Sequence, residues 1–398
     1  MEKQNTVVLD IGACNLKIGT DDGIRNIPNC IFKSKMERRK SFISGQIDSC
    51  KDHSGLFYLL PFQKGYLVNW DVQKQVWDYA FGKDVLNLKP ADTSIILTEP
   101  HFNFPTIQEA MNEIFFEEYE FQSILRTNAT TLSYRKYEEE FPLENCCIIV
   151  DAGYSFTHIV PYHAGKKITS ALCRIDVGGK LLTNHLKEII SYRQLQVMDE
   201  TYVMNQVKED SCHISMDFFK DMEKSKLKGD ANPLLCEYVL PDYTHIHRGF
   251  IKKKGAGSEK SSKTQEQTIR LAGERISVPE VLFHPSDIGI PQMGIPEAIV
   301  HSIEKCPEEL RPHMYRNIVL TGGSCNFKNF KERVEREVRS LAPSLYKVRV
   351  TMSDRPQEYA CAGGLAWSTA DHFREHLLTL EEYQEAGQSA CQRQFIDI

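Results

Sequence analysis

The sequence has no hydrophobic run long enough to cross a membrane. Charge-free stretches such as residues 152–165 are too short and too polar, because a span needs about 18 or more consecutive apolar residues. A signal-peptide pattern is also missing, since Asp10 interrupts the brief apolar run that follows Glu2 and Lys3. We therefore expect neither secretion nor membrane partners.

The sequence has no C-x-x-C pair, although it contains 12 cysteines in 398 residues. Without a secretory signal, a chain of this length is expected to keep its thiols reduced, as packing or surface groups. An excess of positive charge is missing too: 48 Lys and Arg face 54 Asp and Glu, which gives a net charge of −6. This balance argues against a protein that binds nucleic acid along its whole surface.

Three nucleotide and hydrolase motifs are absent: the nucleophile elbow G-x-S-x-G, the Walker loop and the dinucleotide pattern G-x-G-x-x-G. Their absence weakens the hydrolase, P-loop and dinucleotide interpretations. A zinc-protease pattern, H-x-x-E-H, does occur from His372 to His376. A catalytic zinc needs a third protein ligand and a shaped cleft, so we favour an exposed helix that carries two histidines.

Strand-like and helix-like segments alternate along the chain, which is typical of an α/β protein of two or three domains. Thr106 and Glu109 have the spacing of a capping box at the start of one helix, and Gly178-Gly179 precedes a second. The Val- and Ile-rich segments that predict strands are residues 6–10, 146–151, 158–161 and 317–321.

A short pattern occurs twice, 141 residues apart. Asp10-Ile11-Gly12 and Asp151-Ala152-Gly153 each end a strand-like segment and lead through a turn into another. The repeat favours two related half-domains that face one cleft. The alternative is that D-x-G is only a common turn sequence, because turns favour these residues.

Two aspartates at the ends of neighbouring strands suit a nucleotide with Mg²⁺, which binds through one or two carboxylates and phosphates. Lys17 could neutralise phosphate charge from the first turn, and the Gly322-Gly323-Ser324 turn could flank a base or ribose. Gly178-Gly179 opens a helix whose N-terminus favours anions. The combination predicts a nucleotide·Mg²⁺ site.

Two segments are basic. Residues 251–268 are rich in Lys, Gly and Ser without apolar periodicity, which predicts a mobile insertion, and residues 33–40 form a second cluster. Charge runs of this kind are usually solvated faces. The insertion could also contact DNA phosphates or an acidic subunit.

Taken together, these residues resemble the actin superfamily over nearly the whole chain, and most closely its actin-related protein 6 family. The segments that carry the resemblance to the superfamily are residues 7–19, 69–77, 98–100, 148–161, 238–242, 279–289 and 320–324, and those that carry the closer one are residues 55–83, 177–201 and 289–300.

The resemblance implies an actin-like, ribonuclease-H-like duplicated fold with two lobes of four subdomains around a nucleotide cleft. The implied bounds are residues 1–28, 61–143 and 360–398 for subdomain 1, 29–60 for subdomain 2, 144–177 and 290–359 for subdomain 3, and 178–289 for subdomain 4. ATP or ADP with Mg²⁺ is the implied structural cofactor.

Members of this family are nuclear subunits of ATP-dependent remodellers that exchange a core histone for its Z-type variant. The implied partners are the remodeller ATPase, a small zinc-finger protein and histones or the nucleosome; some members also associate with heterochromatin proteins. The resemblance thus implies roles in transcription regulation and heterochromatin, with a nuclear and partly cytoplasmic location.

Matching the actin motifs position by position assigns fourteen residues to the nucleotide site. The phosphate and Mg²⁺ set is Asp10, Gly12, Ala13, Lys17, Asp151, Gly153 and Ser155; His158 lies near the attacking water; the nucleoside set is Gly179, Lys208, Glu209, Gly322, Gly323 and Ser324.

The departures from the actin pattern argue against hydrolysis. Ala13-Cys14 replaces Ser-Gly, Tyr154-Ser155 replaces Asp-Gly, and residues 126–133 offer Asn128 or Ala129 where actin has its water-positioning glutamine. We therefore expect a non-catalytic subunit that does not polymerise. The alternatives are a weak ATPase or sugar-kinase-like phosphotransferase, or a cytoskeletal actin-like protein.

Overall fold

The computed structural model describes residues 5–34, 40–53, 55–252 and 266–395. Its strands are β1 (Asn5–Ile11), β2 (Asn15–Thr20), β3 (Gly23–Pro28), β4 (Ile31–Ser34), β5 (Ser41–Ile43), β6 (Leu56–Leu59), β7 (Phe62–Gln63), β8 (Tyr66–Leu67), β9 (Thr93–Glu99), β10 (Ser123–Asn128), β11 (Cys146–Ala152), β12 (Thr157–His163), β13 (Lys166–Lys167), β14 (Cys173–Ile175), β15 (Cys236–Val239), β16 (Phe250–Ile251), β17 (Thr268–Leu271), β18 (Ile318–Thr321), β19 (Val350–Met352) and β20 (Leu378–Thr379).

The α-helices lie between these strands or follow the last of them. They are α1 (Trp70–Phe81), α2 (Pro105–Glu113), α3 (Ala129–Glu140), α4 (Gly179–Arg193), α5 (Thr201–Ser211), α6 (Phe218–Ser225), α7 (Glu274–Glu280), α8 (Ile295–Glu304), α9 (Arg311–Arg316), α10 (Phe330–Leu341), α11 (Tyr359–Ser368), α12 (Leu380–Ala386) and α13 (Gln388–Gln394).

Two large sheets repeat one pairing pattern. In the first, β1 pairs antiparallel with β2 and parallel with β9, which pairs parallel with β10. In the second, β11 pairs antiparallel with β12 and parallel with β18, which pairs parallel with β19. The two related half-domains and the α/β actin-like fold that the sequence predicted are therefore confirmed.

Each large sheet has its own hydrophobic core. Val8, Ile96 and Trp77 are fully buried in the core of the first half, and Ile148, Leu186 and Ile299 in that of the second. The helices that alternate with the strands thus cover the two sheets and form two separate hydrophobic cores. A smaller sheet joins each half: β4 with β5 and β6 in the first, and β15 with β16 and β17 in the second.

Two helices carry the chain from one half to the other and pack against each other. The helix α3 leads from β10 to β11, and α11 leads from β19 back toward β20. A Cβ atom on Gly363 would lie 1.9 Å from the carbonyl oxygen of Leu132, so only glycine permits this approach. This helix pair is therefore one tightly packed contact between the halves.

The structure corrects several local predictions. Thr106 does not cap a helix, because α2 begins at Pro105 after Phe104 and has no side-chain cap; proline suits this first position, where its missing N–H is not needed. Asp10 and Asp151 lie one residue inside their strands, and Lys17 lies within β2 rather than in the turn.

The zinc-protease pattern adopts a different local structure from the predicted helix. Residues 373–376 form one short 3-10 turn, and His372, which is 84% exposed, pairs with Glu375 at 3.1 Å. An imidazole pair four residues apart needs an α-helical turn to share one face. This motif therefore does not form the α-helix that we expected.

The predicted basic segments fall largely outside the described residues. Of residues 251–268, the structure describes only residues 251–252 and 266–268; Ile251 belongs to β16 and Thr268 to β17, so the two outermost residues are strand rather than loop. Most of the 33–40 cluster is likewise not described. The mobility of the insertion and the subdomain bounds given above remain predictions.

The cysteine prediction can be checked residue by residue. All 12 cysteines are free thiols, and ten of them are buried. Among the described residues, no helix is long and apolar enough to cross a lipid bilayer.

Candidate nucleotide-binding cleft

Two hairpins place a carboxylate and a nitrogen-bearing side chain at equivalent positions. Asp10 lies directly opposite Lys17 in the β1–β2 pair, and Asp151 lies directly opposite His158 in the β11–β12 pair. Directly opposed residues of an antiparallel pair project from the same face. The duplicated pairing therefore brings all four side chains to one cleft.

A cavity of about 440 Å³ lies between the two halves. This volume lies within the range of small-molecule and cofactor sites. All fourteen residues assigned from the sequence line it, namely Asp10, Gly12, Ala13, Lys17, Asp151, Gly153, Ser155, His158, Gly179, Lys208, Glu209, Gly322, Gly323 and Ser324.

The end of the cavity that holds the predicted phosphate and Mg²⁺ residues carries two carboxylates and one ammonium group. Lys17 Nζ lies 3.0 Å from Asp10 Oδ2, and Asp10 Oδ1 accepts a hydrogen bond from Thr98 Oγ1 at 2.9 Å. Burial opposes the charge of Lys17, but Asp10 outweighs it and the pKa of Lys17 is raised. The ion pair thus fixes both groups before any ligand binds.

Asp151 has no such partner among the residues that the structure describes, and its electrostatics favour a cation. Burial, followed by repulsion from Asp10, raises the pKa of Asp151 to about 6, while Lys17 opposes this rise. Two carboxylates against one ammonium leave an excess of negative charge. A divalent cation would relieve it, and oxygen ligands are those that Mg²⁺ prefers.

His158 presents an unpaired nitrogen at the same end. Its side chain is buried, its Nε2 atom has no hydrogen-bond partner within the described part of the chain, and it lines the cavity. Burial, and then the neighbouring His101, hold the pKa of His158 well below its usual value. The imidazole is therefore neutral, and its Nε2 can still make one hydrogen bond.

Lys208 organises the end of the cavity that holds the predicted nucleoside residues. Its ammonium group donates to the Gly179 carbonyl at 3.2 Å, to Thr183 Oγ1 at 2.9 Å and to Asn205 Oδ1 at 2.9 Å. These three bonds use all three protons of the group. Asn205 in turn donates to Glu209 at 2.7 Å. Lys208 therefore holds the pocket wall, and Glu209 is the charged group left to face a ligand.

Glycines allow the backbone to line the cavity closely. A Cβ on Gly12 would lie 2.6 Å from the Asn15 carbonyl oxygen and 2.9 Å from Lys17 Nζ. Gly322 has φ +94°, and its Cβ would lie 2.7 Å from Asp151 Oδ1. Any side chain at these positions would fill the space beside the carboxylates. These turns thus form a cradle suited to phosphate oxygens.

The position of actin's water-positioning glutamine has no amide at the cavity wall. Asn128 is buried, and its side chain donates to the Glu99 carbonyl at 3.1 Å and accepts from Lys167 at 3.1 Å. Ala129 lines the cavity instead. Cys14 and Tyr154 also line it, and burial raises the pKa of Cys14 to about 11.

Some residues of the site were not assigned from the sequence. Thr98 donates a hydrogen bond to Asp10, which is 88 residues away in sequence. It lies in the segment 98–100 that resembles actin, but the sequence assigned no role to it. Asn205 precedes Glu209 by four residues on α5, a spacing that places both on one helix face. His101 packs its ring 5.0 Å from that of His158, and no sequence pattern indicated it.

Comparisons with known proteins identify the family. The family model described as Actin matches residues 1–396, so this chain belongs to the actin family. It is 44% identical over 388 residues to "Actin-related protein 6" of Drosophila melanogaster, which covers 96% of this chain and 97% of that protein.

Two further relatives carry similar names. The chain is 39% identical to "Actin-like protein ARP6" of Cryptococcus neoformans, with 98% of this chain and 84% of that protein covered. It is 33% identical to "Actin-related protein 6" of Arabidopsis thaliana, with 98% and 99% covered. The resemblance that the sequence motifs indicated is therefore confirmed.

Proposed function

We propose that this chain is a non-catalytic, actin-like subunit of a nuclear ATP-dependent remodelling complex that exchanges a core nucleosomal histone for its Z-type variant. The proposal is supported by the near full-length similarity to proteins named actin-related protein 6. Its partners would be the remodeller ATPase, a small zinc-finger subunit and histones, and some copies would associate with heterochromatin proteins.

The cleft supports a structural nucleotide, ATP or ADP with Mg²⁺. Asp10 and Asp151 would hold the cation through oxygen atoms, Lys17 would neutralise phosphate charge, and the Gly322 turn would approach the phosphates through its backbone. Bound Mg²⁺ would balance the negative charge of the two carboxylates that Lys17 leaves uncompensated. Glu209 would accept a hydrogen bond from a ribose hydroxyl group.

The arrangement of Asn128 is the observation that carries the non-catalytic assignment. Phosphoryl transfer to water depends on a group that orients the attacking water. The Asn128 amide is committed to Glu99 and Lys167, and Ala129 has no polar atom in its side chain. Hydrolysis should therefore be slow.

A weak ATPase is the second candidate, and His158 is the observation that favours it. His158 lines the cavity on the strand beside Asp151, and its Nε2, which has no partner among the described residues, could bond a water molecule. Phosphate release measured with Mg·ATP decides between the two candidates. Turnover that is lost in the Asp151→Asn variant would favour the ATPase.

Purification of the tagged endogenous protein tests the complex assignment. We expect co-purification of a remodeller ATPase, a zinc-finger subunit and histones, and loss of variant-histone incorporation when the chain is depleted. Sedimentation in Mg²⁺ and salt is the control for the cytoskeletal alternative. Recovery as filaments, without remodeller subunits, would refute the proposal.

A further inference from the structure

Tyr154 lies at the junction between the predicted phosphate residues and the predicted nucleoside residues of the cleft. In the chain it stands between Gly153 and Ser155, which both belong to the predicted phosphate set. Its ring faces the nucleoside set, because a Cβ atom on Gly179 would lie 3.4 Å from Tyr154 Cδ2. The sugar of a nucleotide joins the base to the phosphates, so we expect the sugar to lie beside this ring.

The start of α4 fixes the backbone of this turn. The Gly179 amide donates to the Gly153 carbonyl at 3.1 Å, and the Lys180 amide donates to the Tyr154 carbonyl at 2.9 Å. The first amides of a helix have no partner within the helix, so these two bonds satisfy them. A Cβ atom on Gly178 would lie only 2.5 Å from the Tyr154 carbonyl oxygen. The turn therefore packs tightly on α4 and positions the Tyr154 ring before any ligand binds.

The hydroxyl group of Tyr154 is available to a ligand. The side chain is partly buried and lines the cavity, and its hydroxyl makes no hydrogen bond to any residue that the structure describes. Burial, and then the nearby Cys14, Cys30 and Glu209, raise the pKa of this hydroxyl. The phenol therefore keeps its proton and can donate it to an oxygen atom of a ligand.

Glu209 supplies a hydrogen-bond acceptor at the same end of the cavity. Its Oε1 atom accepts from Asn205 at 2.7 Å, which orients the carboxylate and leaves acceptor capacity for a ligand. Glu209 and Tyr154 both line the cavity, and the charge of Glu209 acts on the Tyr154 hydroxyl. A ribose carries two neighbouring hydroxyl groups, so one donor and one acceptor close together match this diol.

We propose that Tyr154 is a specificity-determining residue that, together with Glu209, selects ribonucleotides over their deoxyribose analogues. The Tyr154 hydroxyl donates to one hydroxyl group of the ribose, and Glu209 accepts from the other. An analogue that lacks one of these groups binds more weakly, because a polar group of the site is then left unpaired. This inference rests on the proposed nucleotide binding and adds the class of sugar that the cleft accepts.

Calorimetric titration of the nucleotide-free wild-type protein tests the selection of the sugar without any variant. The ligands are Mg·ADP and its 2′-deoxy and 3′-deoxy analogues. At least one deoxy analogue should bind about ten- to hundredfold more weakly than Mg·ADP. Equal affinities for all three nucleotides would overturn the proposal.

Tyr154→Phe tests whether this residue carries the selection, because it removes the hydroxyl and keeps the ring beside Gly179. The variant should bind Mg·ADP about tenfold more weakly than wild type does. Its affinity for the analogue that wild type discriminates against should stay within about threefold of the wild-type value, because both changes remove the same hydrogen bond. A purely structural role would weaken all three nucleotides equally, and this result, like discrimination that persists in Tyr154→Phe, would refute the assignment.

The matched control is Tyr192→Phe, which makes the same substitution at a tyrosine of α4 that is 92% exposed. It should bind all three nucleotides as wild type does. The same titrations separate the two proposals. A wild-type protein that binds none of the three nucleotides would refute the proposed nucleotide binding and this inference with it, whereas binding without discrimination would refute only the selection of the sugar.

Discussion

Replacement of Asp151 by asparagine separates the folding cost of this carboxylate from its role in ligand binding. Burial and Asp10 raise the pKa of Asp151 to about 6 in the folded protein, above the ordinary value of 3.8. The folded state therefore binds this proton more tightly than the unfolded chain. The ionised carboxylate destabilises the fold fully above pH 6, about half as much near pH 5, and little below pH 4.

The size of the effect follows from the pKa difference. Two pKa units correspond to at most about 3 kcal/mol, because one unit is worth 1.36 kcal/mol. Asp151 keeps some solvent exposure, so solvent screening reduces this value, and we expect about 1–3 kcal/mol. Asn has nearly the shape of Asp and no charge. The unfolding free energy of Asp151→Asn relative to wild type should therefore increase by this amount as the pH rises from 4 to 7.5.

The assay is urea unfolding of nucleotide-free protein at pH 4, 5 and 7.5. The control is Asp22→Asn, which changes an exposed carboxylate in the turn between β2 and β3. With Mg·ATP present, Asp151→Asn should lose most of the ligand-induced stabilisation that wild type shows. For wild type this stabilisation is about 2.7 kcal/mol at a ligand concentration 100 times the dissociation constant. A stability difference between Asp151→Asn and wild type that does not vary with pH would refute this reasoning.

Three further predictions concern the same cleft. Lys17→Met should raise the pKa of Asp151 further, because Lys17 opposes that rise, and should lower Mg·ATP affinity about tenfold or more in calorimetry. Gly322→Ala should destabilise the fold by about 2–4 kcal/mol in urea unfolding, since φ is +94° and the methyl group would meet backbone, whereas Gly323→Ala, with open space around it, should stay within about 1 kcal/mol. Cys14 should react slowly with iodoacetamide at pH 7.5, because its pKa is about 11, and mass spectrometry should show faster labelling as the pH rises.

The sequence by itself determined the strands and the residues of the cleft. The two Asp-x-Gly patterns end short apolar segments, and such a continuous apolar run predicts a strand buried on both faces whatever it pairs with. The order of motifs along the chain then indicated the actin family, which the comparisons confirm. The start of α2 was predicted wrongly, because Pro105 suits the first helical position and Thr106 therefore does not cap the helix.

The tertiary structure alone decided which groups act on each other. Thr98 donates a hydrogen bond to Asp10, 88 residues away in sequence. Lys208 donates its protons to groups of the pocket wall, and Asn128 donates to the Glu99 carbonyl instead of lining the cavity. Contacts of this kind depend on which distant strands pair with each other. This pairing is determined by the burial of both hydrophobic cores, and no local sequence pattern indicates it. For the same reason, no spacing in the sequence indicated that the Tyr154 ring would lie beside Gly179.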